Sequence, residues 1–199
     1  MTLELNPLSD QDLLRNAGDG DVEAFGALYE RFLDPIYRYI FYRISSVEEA
    51  EDLTETIFLK AWENIRNRES AGEIENVRAW LYRIAHNQVI DYHRKKRPVS
   101  VDMDAHLQSN SEDRPSTEET VQAHIVQKGI QEAISALDEQ AREIISLRFF
   151  NGLSHAEVAA VLDLKEGHVR VLQYRALKQL KKLLGEESHE RTKNIRSVG

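Results

Sequence analysis

The side chains best placed to do chemistry lie on one side of a helical period near the C-terminus. In EGHVRVLQYRALKQLKKLL, residues 166 to 184, Val169, Leu172, Ala176, Leu180 and Leu183 recur at the spacing of a single helix face. His168, Arg170, Val171, Tyr174, Arg175, Lys178, Lys181 and Lys182 fall outside it. Guanidinium and ammonium groups in such a row form charge-assisted hydrogen bonds with phosphate. An arginine that reaches a guanine edge adds about 1 to 3 kcal/mol of base discrimination. Nucleophile, base and orienting group do not cluster anywhere, no phosphate-binding loop appears, and the seven histidines are scattered. An enzyme is therefore not expected, and no cofactor is called for.

A second constellation is VRAWLYRIAHNQVIDYHRKKR, residues 77 to 97. Val77, Trp80, Leu81, Ile84 and Tyr92 are expected to share a face, with Arg78, Tyr82, Arg83, His86 and His93 elsewhere and four consecutive cations closing the helix. Basic residues at a helix C-terminus suit its dipole. Aromatic, amide and guanidinium groups beside a basic run also suit single-stranded nucleic acid, which is held by stacking and phosphate contacts together. Trp80 reads equally well as core, and Asn87 and Asp91 lie near the apolar face. His86 and His93 have no third partner for a metal site. The third constellation is acidic: Glu48, Glu49, Glu51, Asp52 and Glu55 put five carboxylates into eight residues. That exceeds what a helix N-terminus needs and fits a docking face for a basic partner.

The elements that must position these groups read as helices. Ser154 and Glu157 form a capping box ahead of Val158, Ala159, Val161 and Leu162, and Asp163 and Leu164 break the period before the basic helix. Two short helices joined by a tight turn match a helix-turn-helix that enters a DNA major groove. An amphipathic hairpin with a solvated lysine face is the plainer alternative. Further back, Ser9 starts a helix that GDGD at 18 to 21 ends; the Asp-Gly run lacks the remaining ligands of a calcium loop. Val22 to Ile44 forms a long helix with Phe25, Leu28, Tyr29, Phe32, Ile36, Tyr37, Ile40, Phe41 and Ile44 as a core stripe, and Pro35 predicts a kink or break within it. Ser46 starts the acidic helix, which Leu53, Ile57, Ala61 and Trp62 anchor, and a polar loop follows from Arg66 to Glu75 with its turn at Gly72.

Pro98 stops the helix, and PVSVDMDAHLQSNSEDRPST, residues 98 to 117, reads as a linker without sustained period. From about Glu118 a helix carries Val121, Ile125, Ile130, Ile134 and Leu137; Asp138 caps the next, with Ile144, Ile145, Leu147 and Phe150 before Asn151 and Gly152. The last fifteen residues read as a frayed tail. The expected fold is all-α: two small helical domains, 1 to 97 and 118 to 184, joined by an acidic flexible linker, with a tail at 185 to 199.

Charge is segregated along the 199 residues behind a net of -8. Residues 1 to 58 carry 4 basic and 13 acidic side chains, 59 to 97 carry 9 and 5, 98 to 141 carry 2 and 9, and 142 to 199 carry 11 and 7. Two cationic segments separated by acidic ones suggest two phosphate contacts and a further surface for something else, because exposed charges act over only about 8 to 10 Å in physiological salt. With no cysteine there is neither disulfide nor thiolate metal site. Without an export signal or an apolar run of about 18 residues, the chain reads as cytoplasmic, with no membrane insertion.

AEDLTETIFLKAW at 50 to 62, VRAWLYRIAHNQVID at 77 to 91, and LDEQAREIISLRFFNGLSHAEVAAVL followed by EGHVRVLQYRAL resemble the extracytoplasmic-function sigma factors of bacterial RNA polymerase. The resemblance covers 9 to 97 and 118 to 184, in the family's order and spacing. It implies a region 2 domain that docks the polymerase clamp helices and opens the minus 10 promoter element, and a region 4 domain that reads the minus 35 element. Asp52, Glu55, Thr56 and Leu59 fall where the polymerase contact lies, although the family usually has Gln-Glu in place of Glu55-Thr56. Trp80 and Arg83 match strand-separating positions and Asn87 a pocket for an extruded base; Arg78, His86, Arg94, Lys95 and Lys96 complete the minus 10 set. Arg170, Val171, Tyr174 and Arg175 match base-reading positions, with Lys165, His168 and Lys178 beside them. Asp163 stands where the family has Gly, and Lys165 where it has Ser or Thr. The resemblance further implies an acidic linker running through the polymerase cleft and an anti-sigma factor as partner. Two other readings remain at this point: a stand-alone helix-turn-helix regulator with an N-terminal signal or dimerisation domain, and a protein-binding helical adaptor.

Overall fold

The computed structural model of the chain describes residues 8–44, 46–67, 74–96, 129–130 and 132–196, those from 186 onward by backbone alone. The expected linker at 98–117, the turn at Gly72, Arg97, and the helix start from Glu118 through Ile125 lie outside the described residues. Among the described residues every regular element is helical. They group into two compact units, one built mainly on the four helices before residue 97 and one mainly on the helices near the C-terminus.

Local polar residues set the helix starts of the first unit. Helix α1, Asp10–Gly18, is capped by the Ser9 hydroxyl, which accepts from the Asp12 amide at 3.1 Å. Helix α2, Val22–Ile44, follows a turn in which Gly20 takes a φ of 102° and Asp21 accepts from the amides of Glu23 and Ala24. Ser46 caps α3, Val47–Arg66, and the Asn76 side chain accepts from the Ala79 amide at the start of α4, Val77–Lys96.

Packing narrows one sequence expectation here and corrects another. Pro35 lies inside α2 without breaking it. Proline removes one backbone hydrogen bond and costs a helix interior about 3 kcal/mol, but Phe32, Ile36, Tyr39 and Ile40 are buried on either side of it and hold the helix through. On α4 the buried face is Val77, Leu81, Tyr82, Ala85 and Val89, so Tyr82, expected outside, is fully buried, while Trp80 and Tyr92 are half-buried. The small Ala79 and Ala85 let α4 approach closely, and the Tyr82 ring meets Tyr39 of α2 edge-on with centroids 5.5 Å apart.

In the second unit Asp138 caps α5, Glu139–Ile145, by accepting from the Ala141 amide at 2.8 Å. The chain then widens into a π-helical turn over Ser146–Phe150 and reverses at Gly152, whose φ is 65°. Leu147 is buried, but Phe150 and Ile130 are exposed, which removes both from the core expected for them. Helix α6, His155–Leu162, begins in the expected capping box: Ser154 Oγ accepts from the Glu157 amide at 3.1 Å, and the Glu157 carboxylate accepts from the Ser154 amide at 2.6 Å. Helix α7, Glu166–Arg196, follows a three-residue turn. It continues well past Leu184, so the expected frayed tail is helical as far as Arg196. Nothing in GEESHERTKNIR forbids this, since it lacks proline and Gly185 costs an interior position only about 1 kcal/mol. Leu137, Ala141 and Ile145 pack with Ala176 and Leu180 of α7.

Asp163 in the turn has a φ of 54°. This left-handed conformation costs most L-residues about 1 to 2 kcal/mol, and aspartate is among the few that visit it routinely. Asp163→Gly is expected to raise stability by about 0.5 to 1 kcal/mol, and Asp163→Val to lower it by about 1 to 2 kcal/mol. Thermal melts of the three proteins check the order.

Candidate nucleic-acid interface and docking groove

The N-terminal half of α7 sorts its residues cleanly. Val169 and Ala176 are buried and Leu172 and Leu180 half-buried, whereas His168, Arg170, Val171, Tyr174, Arg175 and Lys178 are exposed, as is Lys165 in the turn just before the helix. The orientation of this helix is held from behind: Arg148 of the π-helical turn donates to the Gln173 side chain at 3.1 Å and to the Leu153 carbonyl. Arg170 also donates to Glu166 one turn earlier, at 2.5 Å, which steadies its guanidinium without burying it. The outcome is a projecting face with cations at both ends and Val171 and Tyr174 between them. A face of that kind offers donors to phosphate and guanine and apolar contact to a thymine methyl.

Helix α4 brings Trp80, Arg83 and Asn87 onto one side, with Trp80 half-buried and Arg83 and Asn87 exposed. Arg94, Lys95 and Lys96 are exposed at its end, and Arg78 is half-buried near its start. Arg94 pairs with Asp91 at 3.0 Å. Lys96 pairs with Glu49 of α3. His86 stands apart from the other minus 10 candidates. It is half-buried, with Nδ1 3.3 Å from the Tyr39 hydroxyl, and burial together with the nearby Arg43 guanidinium pushes its pKa down to about 4. It braces α4 against α2 as a neutral ring.

Between α2 and α3 lies a groove of about 600 Å³. Phe25, Tyr29, Leu33 and Tyr37 line it from α2, and Phe58, Leu59 and Trp62 from α3, with Glu51 and Glu55 at its border. Two aromatic pairs stand among these residues: Phe25 with Trp62 at 4.8 Å and Tyr29 edge-on to Phe58 at 4.7 Å. Tyr29 and Leu59 are exposed. The aromatic stripe of α2, read from the sequence as core throughout, is thus partly the wall of an open groove. Of the candidates on α3, Glu55 and Leu59 line it; Asp52 is exposed outside it, and Thr56 is half-buried, its hydroxyl donating to the Asp52 carbonyl at 2.9 Å. A signal for the missed residues was present. Positions 25, 29, 33 and 37 follow strict four-residue spacing beside the buried row 28, 32, 36 and 40, and two adjacent apolar rows exceed what one buried helix face requires.

Two family descriptions match the chain: Sigma-70 region 2 over residues 28–99, and Sigma-70, region 4 over residues 133–182. The ECF RNA polymerase sigma factor BldN of Streptomyces coelicolor is 36% identical over 189 residues, covering 92% of this chain and 70% of BldN. The chain belongs to the ECF RNA polymerase sigma factors. SigW of Bacillus subtilis, of the same family, is 29% identical over 86% of this chain and 94% of its own length. The solved structure of CnrH in complex with the cytosolic domain of CnrY has a TM-score of 0.65 at 25% identity, covering 89% of this chain and 97% of that one. An ECF sigma factor is an alternative initiation subunit, and this chain accordingly directs RNA polymerase in transcription initiation. No described helix of this sigma factor is long and apolar enough to cross a membrane.

Proposed function

We propose that the groove between α2 and α3 receives a basic helical element of core RNA polymerase, that the exposed side of α4 takes the melted minus 10 strand, and that α7 reads the minus 35 duplex. The working domains are residues 1–97 and 118–184, with the acidic segment 98–117 between them. This sigma factor acts in the cytoplasm and performs no catalysis of its own. When idle it is held by an anti-sigma factor, in the way CnrH is bound by the cytosolic domain of CnrY.

The observation that carries this reading is the α7 face, where every candidate base-reading side chain is exposed over a buried Val169 and Ala176. Transcription from a randomised promoter library, with core polymerase plus this sigma factor, tests it and yields both promoter elements. Arg175→Ala or Arg170→Ala is expected to reduce minus 35 discrimination about 5- to 150-fold, the equivalent of 1 to 3 kcal/mol at a base contact. Affinity for core polymerase should not change. Equal loss of both properties would count against the groove assignment of α7.

A further inference from the structure

The basic end of α4 is not simply presented to solvent. Glu49, in the first turn of α3, reaches across to it: one carboxylate oxygen accepts from Lys96 Nζ and the other from the Tyr92 hydroxyl. Lys96 Nζ also donates to the Tyr92 hydroxyl at 2.6 Å and sits 4.9 Å from the centre of the Tyr92 ring. The three groups form a closed triangle of one anion and two donors, with the ammonium steadied by the ring. The Lys96 side chain keeps 60% of its surface exposed and Glu49 keeps 33%, so the triangle lies at the surface and opens to solvent. The lysine ammonium holds the Glu49 carboxyl below its usual range, with the tyrosine hydroxyl adding to the effect.

A carboxylate with two oxygens engaged by an ammonium and a hydroxyl is the geometry in which those donors would hold two oxygens of a phosphate. Resting on the reading of α4 as the minus 10 face, we propose that Tyr92 and Lys96 form a DNA backbone phosphate site that Glu49 occupies as a stand-in while the factor is free. Glu49 leaves it when promoter DNA arrives. An exposed ion pair of this kind is weak enough to exchange, because solvent screens it and holding two long side chains costs entropy. Multiple phosphate contacts release counterions, which an internal carboxylate cannot do. Glu49 therefore taxes DNA binding by the free factor and sets how steeply binding depends on salt.

The experiment is equilibrium binding of holoenzyme, core polymerase plus the full chain, to a fork-junction promoter DNA across a salt series. Glu49→Gln keeps the side-chain shape and removes the competing charge. It is expected to tighten binding roughly two- to fivefold. Lys96→Ala is expected to weaken binding and make the slope of log affinity against log salt shallower by about 0.7 to 0.9, the loss of one phosphate contact. In the Lys96→Ala background Glu49→Gln should then give no gain. Tyr92→Phe, which keeps the ring and the fold, should weaken binding two- to fivefold without altering the slope, and inorganic phosphate at matched ionic strength should not compete, since the ligand is the polymer backbone. A Glu49→Gln gain that persists without Lys96 would overturn the proposal by assigning the effect to general charge, and so would unaltered affinity in both Glu49→Gln and Tyr92→Phe. Wild-type holoenzyme that fails to bind the fork at all would overturn the proposed function itself.

Discussion

Leu59→Asp is expected to weaken assembly with core RNA polymerase about 30- to 1,000-fold while leaving the fold intact. The size follows from the cost of disrupting a central apolar anchor, typically 2 to 4 kcal/mol. Leu59 is 56% exposed, so placing a charge there burdens the free protein little. In the complex it would lie among Tyr29, Phe58 and Trp62, where a helix seated in the groove excludes water and an unpaired carboxylate is costly. Glu51 and Glu55 at the border favour a basic occupant and help it arrive, but exposed charges are screened and contribute mainly to the rate of encounter. The apolar wall therefore carries the larger effect. Asn64→Asp is the matched control: it adds the same charge to an exposed position on α3 that does not line the groove. Fluorescence titration of labelled core polymerase against the two variants, with melting curves alongside, checks the result. Wild-type affinity in Leu59→Asp would remove the groove from polymerase docking.

Features settled within one or two helical turns were legible in the sequence. Ser9, Ser46, Asp138 and the pair Ser154 and Glu157 cap the helices expected of them, because a cap needs only a short side chain and the amide two or three residues on. The faces of α7 were equally plain, since its apolar row is interrupted by strongly polar neighbours. Asp163, which stands where the resembled family has Gly, takes the left-handed conformation that such a position requires. What escaped was decided across helices. Trp80, Leu81 and Tyr82 are consecutive and all apolar in part, so periodicity could not say which aromatic turned inward; the packing of Tyr82 on Tyr39 made that choice. The double row on α2 merged into one stripe for the same reason. Glu49 read as part of an acidic patch, yet its partners Tyr92 and Lys96 lie 43 and 47 residues away. The sequence has no local mark for such a pairing.

Acidification should loosen the N-terminal unit through His86. In the folded chain, burial and then the Arg43 guanidinium hold this ring neutral down to a pKa of about 4, against an ordinary value of 6.5. A depressed histidine pKa means that the unfolded chain binds the proton first. Stability from this residue is fully present above pH 6.5, falls as pH drops from 6.5 toward 4, and changes no further once both states are protonated. The gap amounts to about 3 kcal/mol, enough to lower the melting temperature by several degrees or more in a unit of this size. The consequence reaches the proposed minus 10 face because His86 braces α4 against α2 through Tyr39, and the same helix carries Trp80, Arg83 and Asn87 on its outer side. Both tryptophans of the chain, Trp62 and Trp80, belong to this unit, so intrinsic fluorescence in urea follows its unfolding separately from the C-terminal helices. His86→Gln, which cannot take up a proton, should flatten the loss between pH 6.5 and 4 and leave the carboxylate-driven fall at lower pH in place. An identical pH profile in wild type and His86→Gln would show that the ring is not held neutral by its surroundings, and the acid sensitivity of this unit would then have to come from other groups.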